Sequence, residues 1–115
     1  MKNNKLIYLA CPYSHKDKHI QLQRFNSVNF AAAKLMKENL TIFSPISMSH
    51  PIAEHGLPTN WEYWKEFDEV FLSLSEKLIV LKLPGWTKSK GVAGEIKIAK
   101  NLNIPIEYLE KDFAE

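Results

Sequence analysis

The sequence has little cysteine, little net charge and no long apolar run. Cys11 is the single cysteine, so no internal disulfide can form. The net charge is +2, and because acidic and basic residues are interspersed there is no basic stripe for nucleic acid. No segment has the length of a membrane span, and no secretion signal opens the chain. These absences predict a cytoplasmic protein with neither a nucleic-acid polymer nor a membrane as partner.

The chain does have the composition of one soluble globular unit. Apolar residues make up 45% of the sequence and charged residues 24%. A chain of 115 residues has room for one hydrophobic core but not for a second. We therefore expect a single domain over residues 1–115.

Strand and helix patterns alternate along the chain. Four short apolar runs have the length of buried strands, and they lie at residues 5–10, 40–43, 78–83 and 104–109. Three segments with helical spacing separate them, at residues 18–38, 61–75 and about 90–101. The alternation predicts an α/β fold of the flavodoxin or Rossmann type, a three-layer sandwich around a doubly wound parallel sheet of four to five strands in the order 2-1-3-4.

Two further segments are predicted to lack regular structure. Residues 44–60 are rich in proline and longer than a connection needs, which is typical of a lid or a binding loop. The tail from residue 110 onward is expected to be frayed. Neither segment contributes to the predicted core.

The predicted strand order fixes where a ligand would bind. It places the carboxyl ends of the first and third strands side by side, where the winding of the sheet reverses and a crevice opens. The segments Tyr8 to His15 and Gly85 to Glu95 follow those two strands and should face one pocket. Asp68, on the preceding helix, is expected near its rim.

The segment 84–95 has the pattern of a strand, a turn and a helix start. Glycines and Ser89 at the mouth of a helix leave backbone amides free to meet an anion, and the lysines on either side of Ser89 add charge. Ser89 and Gly91 therefore predict a phosphate seat, with Glu95 one turn inside the helix. The alternative is ordinary turn chemistry, in which Ser89 is only an N-cap and Glu95 only favours the helix dipole.

Two carboxylates are candidates for catalysis. In glycosyl transfer one carboxylate attacks an electron-poor sugar carbon while a second handles protons. Glu95 suits the first role by its position, and Asp68 lies between the aromatic residues Phe67 and Phe71. The charged neighbours of Asp68, taken alone, favour the alternative of a solvated helix residue.

Histidines and aromatic residues are candidates for substrate contact. The loop histidines are too far apart in sequence for a tight metal motif, so neither a metal nor another cofactor is expected. The aromatic side chains that could stack on a base ring, with core packing as the alternative, are Trp61, Tyr63, Trp64 and Trp86. The predicted substrate-binding residues are Cys11, Tyr13, Ser14, His15, His50, Trp64, Trp86, Ser89 and Gly91.

With these residues in place, the chain resembles the nucleoside 2-deoxyribosyltransferase superfamily, which includes the deoxynucleoside monophosphate N-glycosidases. Ile7 to Tyr13 is similar to the first strand of that superfamily, whose tyrosine contacts the catalytic carboxylate or the sugar. Asp68 to Val80 resembles its aspartate helix and third strand, although Glu76 stands where the superfamily usually has Asp. Ser89 to Glu95 resembles the block that ends in the nucleophilic glutamate.

The resemblance implies a role for each of these residues. Glu95 would attack the anomeric carbon, Asp68 would assist proton transfer or hold the sugar, and Tyr8 would orient Glu95. Transferases acting on free nucleosides carry Asp six residues before the nucleophile and monophosphate hydrolases carry Ser, so Ser89 implies a 5′-phosphorylated substrate with water as acceptor. A homodimer or higher homo-oligomer is implied as well.

The chain also departs from the superfamily pattern. Trp86 and Lys88 are atypical, and the signatures Tyr-Ser-His, Ser-Pro-Ile and Pro-Gly-Trp are closer to a small branch for which no substrate follows. Two other functions therefore stay open. One is a catalytically silent nucleotide-sensing module of the same fold. The other is a phosphoribohydrolase, whose Pro-Gly-Gly pattern is met by Pro84 and Gly85 but broken by Trp86.

Overall fold

A four-stranded, all-parallel sheet forms the centre of the computed structural model, which describes residues 5–115. The strands are β1 (Leu6–Ala10), β2 (Thr41–Phe43), β3 (Lys77–Lys82) and β4 (Ile106–Glu110). Their order is β2-β1-β3-β4, which confirms the predicted α/β fold and the predicted order 2-1-3-4. β1 lies between β2 and β3, and Tyr8 is in register with Phe43 on one side and Leu78 on the other.

Helices cover both faces of the sheet. They are α1 (Lys18–Lys37), α2 (Pro45–Ala53), α3 (Trp61–Ser73) and α4 (Lys90–Asn101), with short 3₁₀ turns at Trp86–Lys88 and Lys111–Ala114. No helix in the described part of the chain has both the length and the apolar character needed to cross a membrane.

The two faces of β1 belong to separate apolar clusters, because successive side chains of a strand point to opposite sides. Ile7 and Leu9 pack with α1 and α2, whereas Tyr8 and Ala10 pack with α3 and α4. Tyr8 is completely buried. It therefore reaches the layer between the sheet and the helices α3 and α4.

The prediction of a long loop over residues 44–60 is wrong for its first half, which forms α2. Ser44 caps this helix by accepting a hydrogen bond from the backbone N–H of Ser47 at 3.4 Å, and Pro45 occupies the first helical position. Proline is tolerated there because that N–H has no partner inside a helix. Pro51 lies near the end of α2, where few helical hydrogen bonds remain to be disturbed. Only residues 54–60 remain as a connection.

The prediction of a frayed tail is also wrong. Residues 111–114 form a 3₁₀ turn, and Phe113 packs against the apolar cluster beneath α1. Lys34 of α1 donates a hydrogen bond to the Phe113 carbonyl at 2.8 Å, and its ammonium lies 4.2 Å from the centre of the Phe113 ring. An apolar anchor and a cation on α1 therefore hold the end of the chain.

Candidate active site

Three polar groups meet in the apolar layer between the sheet and the helices α3 and α4. The Tyr8 hydroxyl donates a hydrogen bond to Oε2 of Glu95 at 2.5 Å. Glu95 is only 5% exposed and Asp68 only 8%. Tyr8 comes from β1, Asp68 from α3 and Glu95 from α4, so the packing of the two helices on the sheet creates the group. The structure brings together the three residues that were predicted to be catalytic.

Burial sets the charge of both carboxyl groups, because an apolar environment disfavours the ionised form. Desolvation raises the pKa of Glu95 to about 8, while the hydrogen bond from Tyr8 opposes the rise and the charge of Asp68 adds to it. Desolvation likewise raises the pKa of Asp68 to about 7, against a lowering by Tyr8. The pKa of Tyr8 is raised by its own burial and by both carboxyl groups, so Tyr8 stays a neutral donor. Near neutral pH the pair of carboxyl groups therefore retains at least one proton.

Asp68 is not the solvated helix residue that its charged neighbours favour. It occupies the buried side of α3, and its Oδ1 has no hydrogen-bond partner among residues 5–115. An unpaired buried oxygen costs free energy, and strongly shifted carboxyl groups are concentrated at functional sites. The burial of Asp68 therefore supports a site rather than a surface role.

A cavity of about 310 Å³ opens beside Glu95, between the segments that follow β1 and β3. Its wall also takes residues from α2 and from the start of α3. Of the three buried polar residues only Glu95 lines the cavity; Tyr8 and Asp68 are not among its lining residues. The lining residues are Cys11, Tyr13, Ser14, Ile46, Ser49, Ala53, Thr59, Asn60, Trp61, Glu62, Trp64, Lys88, Ser89, Lys90, Gly91 and Glu95.

Most of the predicted substrate-binding residues lie in this wall. The two segments expected to face one pocket both contribute to it, as the parallel order of β1 and β3 requires. The predicted residues found there are Cys11, Tyr13, Ser14, Trp64, Ser89 and Gly91. Burial raises the pKa of the Cys11 thiol far above its ordinary value, so that side chain is an uncharged part of the wall.

Three predicted substrate-binding residues do not line this cavity. The His50 ring stacks on Phe25 of α1, and its Nδ1 shares a hydrogen bond of 2.5 Å with the Tyr13 hydroxyl. His50 and His15 line a second, neighbouring cavity instead. Trp86 packs against Tyr108 of the edge strand, with ring centres 5.7 Å apart, because the turn after β3 directs it toward β4.

The start of α4 brings cationic and hydrogen-bonding groups to the wall. Lys88, Ser89, Lys90 and Gly91 all line the cavity. Ser89 is the N-cap of α4, and its Oγ accepts from the backbone N–H of Val92 at 3.1 Å. Its hydroxyl proton remains available for donation, since a hydroxyl both accepts and donates. The N-cap role and an anion-binding role are therefore compatible at this residue.

Trp61, which begins α3, also lines the cavity. It is one of the aromatic residues predicted to be able to stack on a base ring, although it is not one of the nine predicted substrate-binding residues. Its indole lies so close to α4 that a Cβ added to Gly94 would be 2.6 Å from the Trp61 Cε2 atom. Gly94 is therefore required by the approach of the two helices. The signal in the sequence was the glycine next to Glu95, but its partner is 33 positions earlier and cannot be identified from spacing.

The site offers no cluster suited to a metal. Within residues 5–115, no group of three or more His, Cys, Asp or Glu side chains has the geometry to hold an ion. His50 instead pairs its second ring nitrogen with Glu54 at 3.4 Å. The cavity wall carries the buried carboxyl of Glu95, a second carboxyl and two lysines, together with the hydroxyls of Tyr13, Ser14, Ser49, Thr59 and Ser89.

A family model described as a domain of unknown function, DUF1937, matches residues 5–111 of the chain. The matched range contains the whole sheet and every residue of the site described above. No curated protein matches the chain. The family description assigns no activity, so the function has to be inferred from the geometry of the site.

Proposed function

The chain belongs to the DUF1937 family, and we propose that it cleaves the N-glycosidic bond of a nucleoside 5′-monophosphate or a nucleoside, or transfers its 2-deoxyribosyl group, with Glu95 as the nucleophile. The observation that carries the proposal is the Tyr8 hydrogen bond to Glu95 in the wall of the cavity. That bond holds a buried carboxyl group that lines the cavity. A glutamate that only capped a helix would need neither the burial nor the tyrosine.

The proposed reaction has two steps. A carboxylate oxygen of Glu95 attacks C1′ of the sugar, the bond from C1′ to the base nitrogen breaks, and the base leaves with the electron pair and takes a proton from water. Water or an acceptor base then attacks C1′, loses a proton, and releases Glu95 as a carboxylate. Such covalent catalysis replaces one difficult step by two easier ones.

Only ionised Glu95 can attack, although burial favours its neutral form. Tyr8 supports the ionised form because its hydroxyl donates to the carboxylate. The pKa of Glu95, about 8, lies above that of Asp68, about 7, so Glu95 holds the last proton of the pair in the free site and must give it up before it attacks. Asp68 is not a lining residue of the cavity, and we assign it the proton that Glu95 gives up. Asp68 then acts through Tyr8 and Glu95 as a positioning residue, without touching the sugar.

The start of α4 supports a phosphorylated substrate. Ser89 at the start of α4 lines the same cavity as Glu95, together with Gly91 of the first helical turn and the two lysines Lys88 and Lys90. Helix N-termini attract anions through their unpaired amides and their dipole. A 5′-phosphate would bind at Ser89, the N-cap of α4, and the nucleophile Glu95 lies six positions later in the same helix.

The homo-oligomer remains a prediction, and one surface supports it. Exposed apolar side chains follow one another at helical spacing along α3 and the residue after it, and they are Tyr63, Phe67, Val70 and Leu74. A second copy of the chain could cover this stripe, since large apolar patches on a surface often mark interfaces. Sedimentation velocity of the wild type and of Val70→Glu would measure it, and a monomer in both cases would remove the prediction.

The test of the proposed function is release of free base from a panel of deoxyribonucleotides, ribonucleotides and nucleosides. The wild type and Glu110→Gln, a change at an exposed glutamate, are expected to release base, and Glu95→Gln is not. If a nucleotide binds but no member of the panel reacts, the nucleotide-sensing alternative is correct. If ribonucleotides react and deoxyribonucleotides do not, the protein is a phosphoribohydrolase.

A further inference from the structure

One side chain of α1, Arg24, joins the two segments that enclose the cavity. Its Nη1 donates to the backbone carbonyls of Tyr13 and Ser14, at 3.3 and 3.2 Å. Its Nη2 donates to the backbone carbonyl of Pro84 at 3.1 Å. The first two carbonyls follow β1 and the third follows β3. A single guanidinium therefore connects the two sides of the crevice.

The backbone at Gly85 is shaped around this guanidinium. Gly85 has φ +90°, a conformation that residues with a Cβ rarely adopt. A Cβ at this position would also lie 2.8 Å from Nη2 of Arg24. The positive φ therefore favours glycine at position 85, and a Cβ there would also displace the end of the Arg24 side chain.

The hydrogen-bond acceptors of Arg24 are uncharged backbone carbonyls. No carboxylate of residues 5–115 lies within ion-pair distance of it. The planar guanidinium presents several N–H groups in fixed directions, which lets it serve three carbonyls at once. A lysine at the same place would present a compact ammonium and could not hold all three in the same geometry.

The connection extends to a third segment. The Ser14 hydroxyl donates to the backbone carbonyl of Thr59 at 2.7 Å, and Ser14 and Thr59 both line the cavity. Holding the carbonyl of Ser14 therefore also fixes the connection before α3. Arg24 thus reaches Tyr13 and Ser14 directly and Thr59 through Ser14. All three line the cavity, whereas Arg24 does not.

We propose that Arg24 is a positioning residue, which sets the spacing between the segments after β1 and β3 and so the width of the ligand cavity. The effect on turnover rests on the proposed function, but the effect on the two segments does not. Arg24 contacts no ligand in this account and acts only through the backbone of the cavity wall.

Amide hydrogen exchange tests the connection without any ligand. Arg24→Ala should speed exchange about tenfold at the Asp17 amide, which donates to His15 Nδ1, and at the amides of residues 86, 88 and 89, which donate within the turn after β3. Both segments lose the same partner. Arg24→Lys should give an intermediate result. The matched control is Lys34→Ala, which removes another α1 cation that donates to a backbone carbonyl, at the far end of the chain. It should leave both cavity segments unchanged.

The same variants separate positioning from folding in the base-release assay. With a deoxynucleoside monophosphate as probe, Arg24→Ala should raise KM about tenfold or more and lower kcat less, because the wall that binds substrate is displaced. Millimolar guanidinium chloride, far below denaturing concentrations, should partly restore KM in Arg24→Ala and have no effect on Lys34→Ala.

Several results would overturn the proposal. Unchanged exchange in either cavity segment of Arg24→Ala, or equal acceleration in Lys34→Ala, would show that Arg24 does not hold the two segments together. Equal KM values for the wild type and Arg24→Ala would show that Arg24 does not affect the ligand cavity. If the wild type released no base from any nucleotide, the proposed function would fail while the exchange result still decided the role of Arg24.

Discussion

The molecule treats its carboxylates in two opposite ways. At the edge strand β4, Glu107 pairs with Lys77 and Glu110 pairs with Lys82, and both glutamates are exposed. At the crevice, Glu95 and Asp68 are buried, and no lysine or arginine of the described residues lies within ion-pair distance of them. The exposed ion pairs have little effect on the free energy of folding, whereas burial of the two unpaired carboxyl groups opposes folding.

The difference shows which carboxylates are compatible with a purely structural role and which are not. Exposed ion pairs contribute roughly 0–1 kcal/mol and keep an edge strand soluble. Burying two carboxyl groups that share one phenol opposes folding, since each must stay protonated or lose its hydration. A domain that retains such a pair gains something other than stability from it, and we infer that the gain is reactivity.

The largest expected effect comes from replacing a carboxylate at the crevice. Glu95→Gln should lower the rate of base release by about a thousandfold or more, because an amide cannot attack C1′. Glu107→Gln, on the edge strand, should retain the wild-type rate. Initial rates of both proteins, with their folding verified by circular dichroism, check this prediction. Similar losses in the two variants would abolish the distinction between the regions.

The pH dependence of stability should also distinguish the two regions. The pKa of Glu95 is about 8 and that of Asp68 about 7 in the folded protein, above their ordinary values near 4. Between pH 4 and 8 the folded state therefore binds more protons than the unfolded state, and the free energy of unfolding should fall as pH rises, by several kcal/mol in order of magnitude.

Urea unfolding at a series of pH values measures this effect. Asp68→Asn removes one of the two groups and should make the fall between pH 4 and 8 shallower. Glu107→Gln should leave the slope of the wild type unchanged, because that residue is exposed. A wild-type stability that stayed constant or rose over this range would show that the crevice carboxyl groups ionise as freely as those of the edge strand.

A smaller effect is expected from the phenol that the crevice carboxyls share. The wild-type rate should depend on pH as a bell, with limbs near 7 and 8, because the productive pair holds one proton. Tyr8 lowers the pKa of both carboxyls, so Tyr8→Phe should move both limbs to higher pH. Tyr63→Phe, a change at an exposed tyrosine, is the control. Unmoved limbs in Tyr8→Phe would exclude the coupling.

Ser89→Ala should have a moderate and selective effect. Loss of one hydrogen bond to a charged phosphate should raise KM about tenfold for nucleotides and leave KM for free nucleosides unchanged. Steady-state kinetics with matched pairs of nucleoside and nucleotide measure the selectivity. Equal increases for both substrates would refute a phosphate role.

The smallest effect is expected at the edge strand itself. Glu107→Gln breaks an exposed ion pair and should change the free energy of unfolding by less than about 1 kcal/mol. Raising the salt concentration should reduce the difference further, because salt screens exposed charges. Denaturant titration at low and high salt tests both points. A loss of several kcal/mol would mean that the edge pairs are structural.

The sequence predicts the sheet well and the site in part. Apolar runs and helical spacing are local signals, and they predicted the four strands and their order. The burial of Asp68 depends on which face of α3 packs against Tyr8. The charged residues beside Asp68 in the sequence are instead typical of an exposed helix face. The prediction of a loop at the proline-rich segment is wrong because serine and proline are typical both of loops and of the first positions of a helix. Here Ser44 and Pro45 begin α2.

Other site residues could not be predicted because their partners are distant in the chain. Arg24 interacts with backbone carbonyls up to 60 positions away, which leave no side-chain signature. Trp86 follows the same turn as Ser89, yet it packs toward β4 and Ser89 lies in the cavity wall. Only the packed structure separates the two.

The most direct test of the central claim is the mass of the protein quenched in acid during turnover of a deoxynucleoside monophosphate. The account predicts a fraction of the wild type heavier by one sugar phosphate, with the added mass on the peptide that contains Glu95, and none in Glu95→Gln. Base release with Glu95 unmodified, and undiminished release by Glu95→Gln, would contradict it.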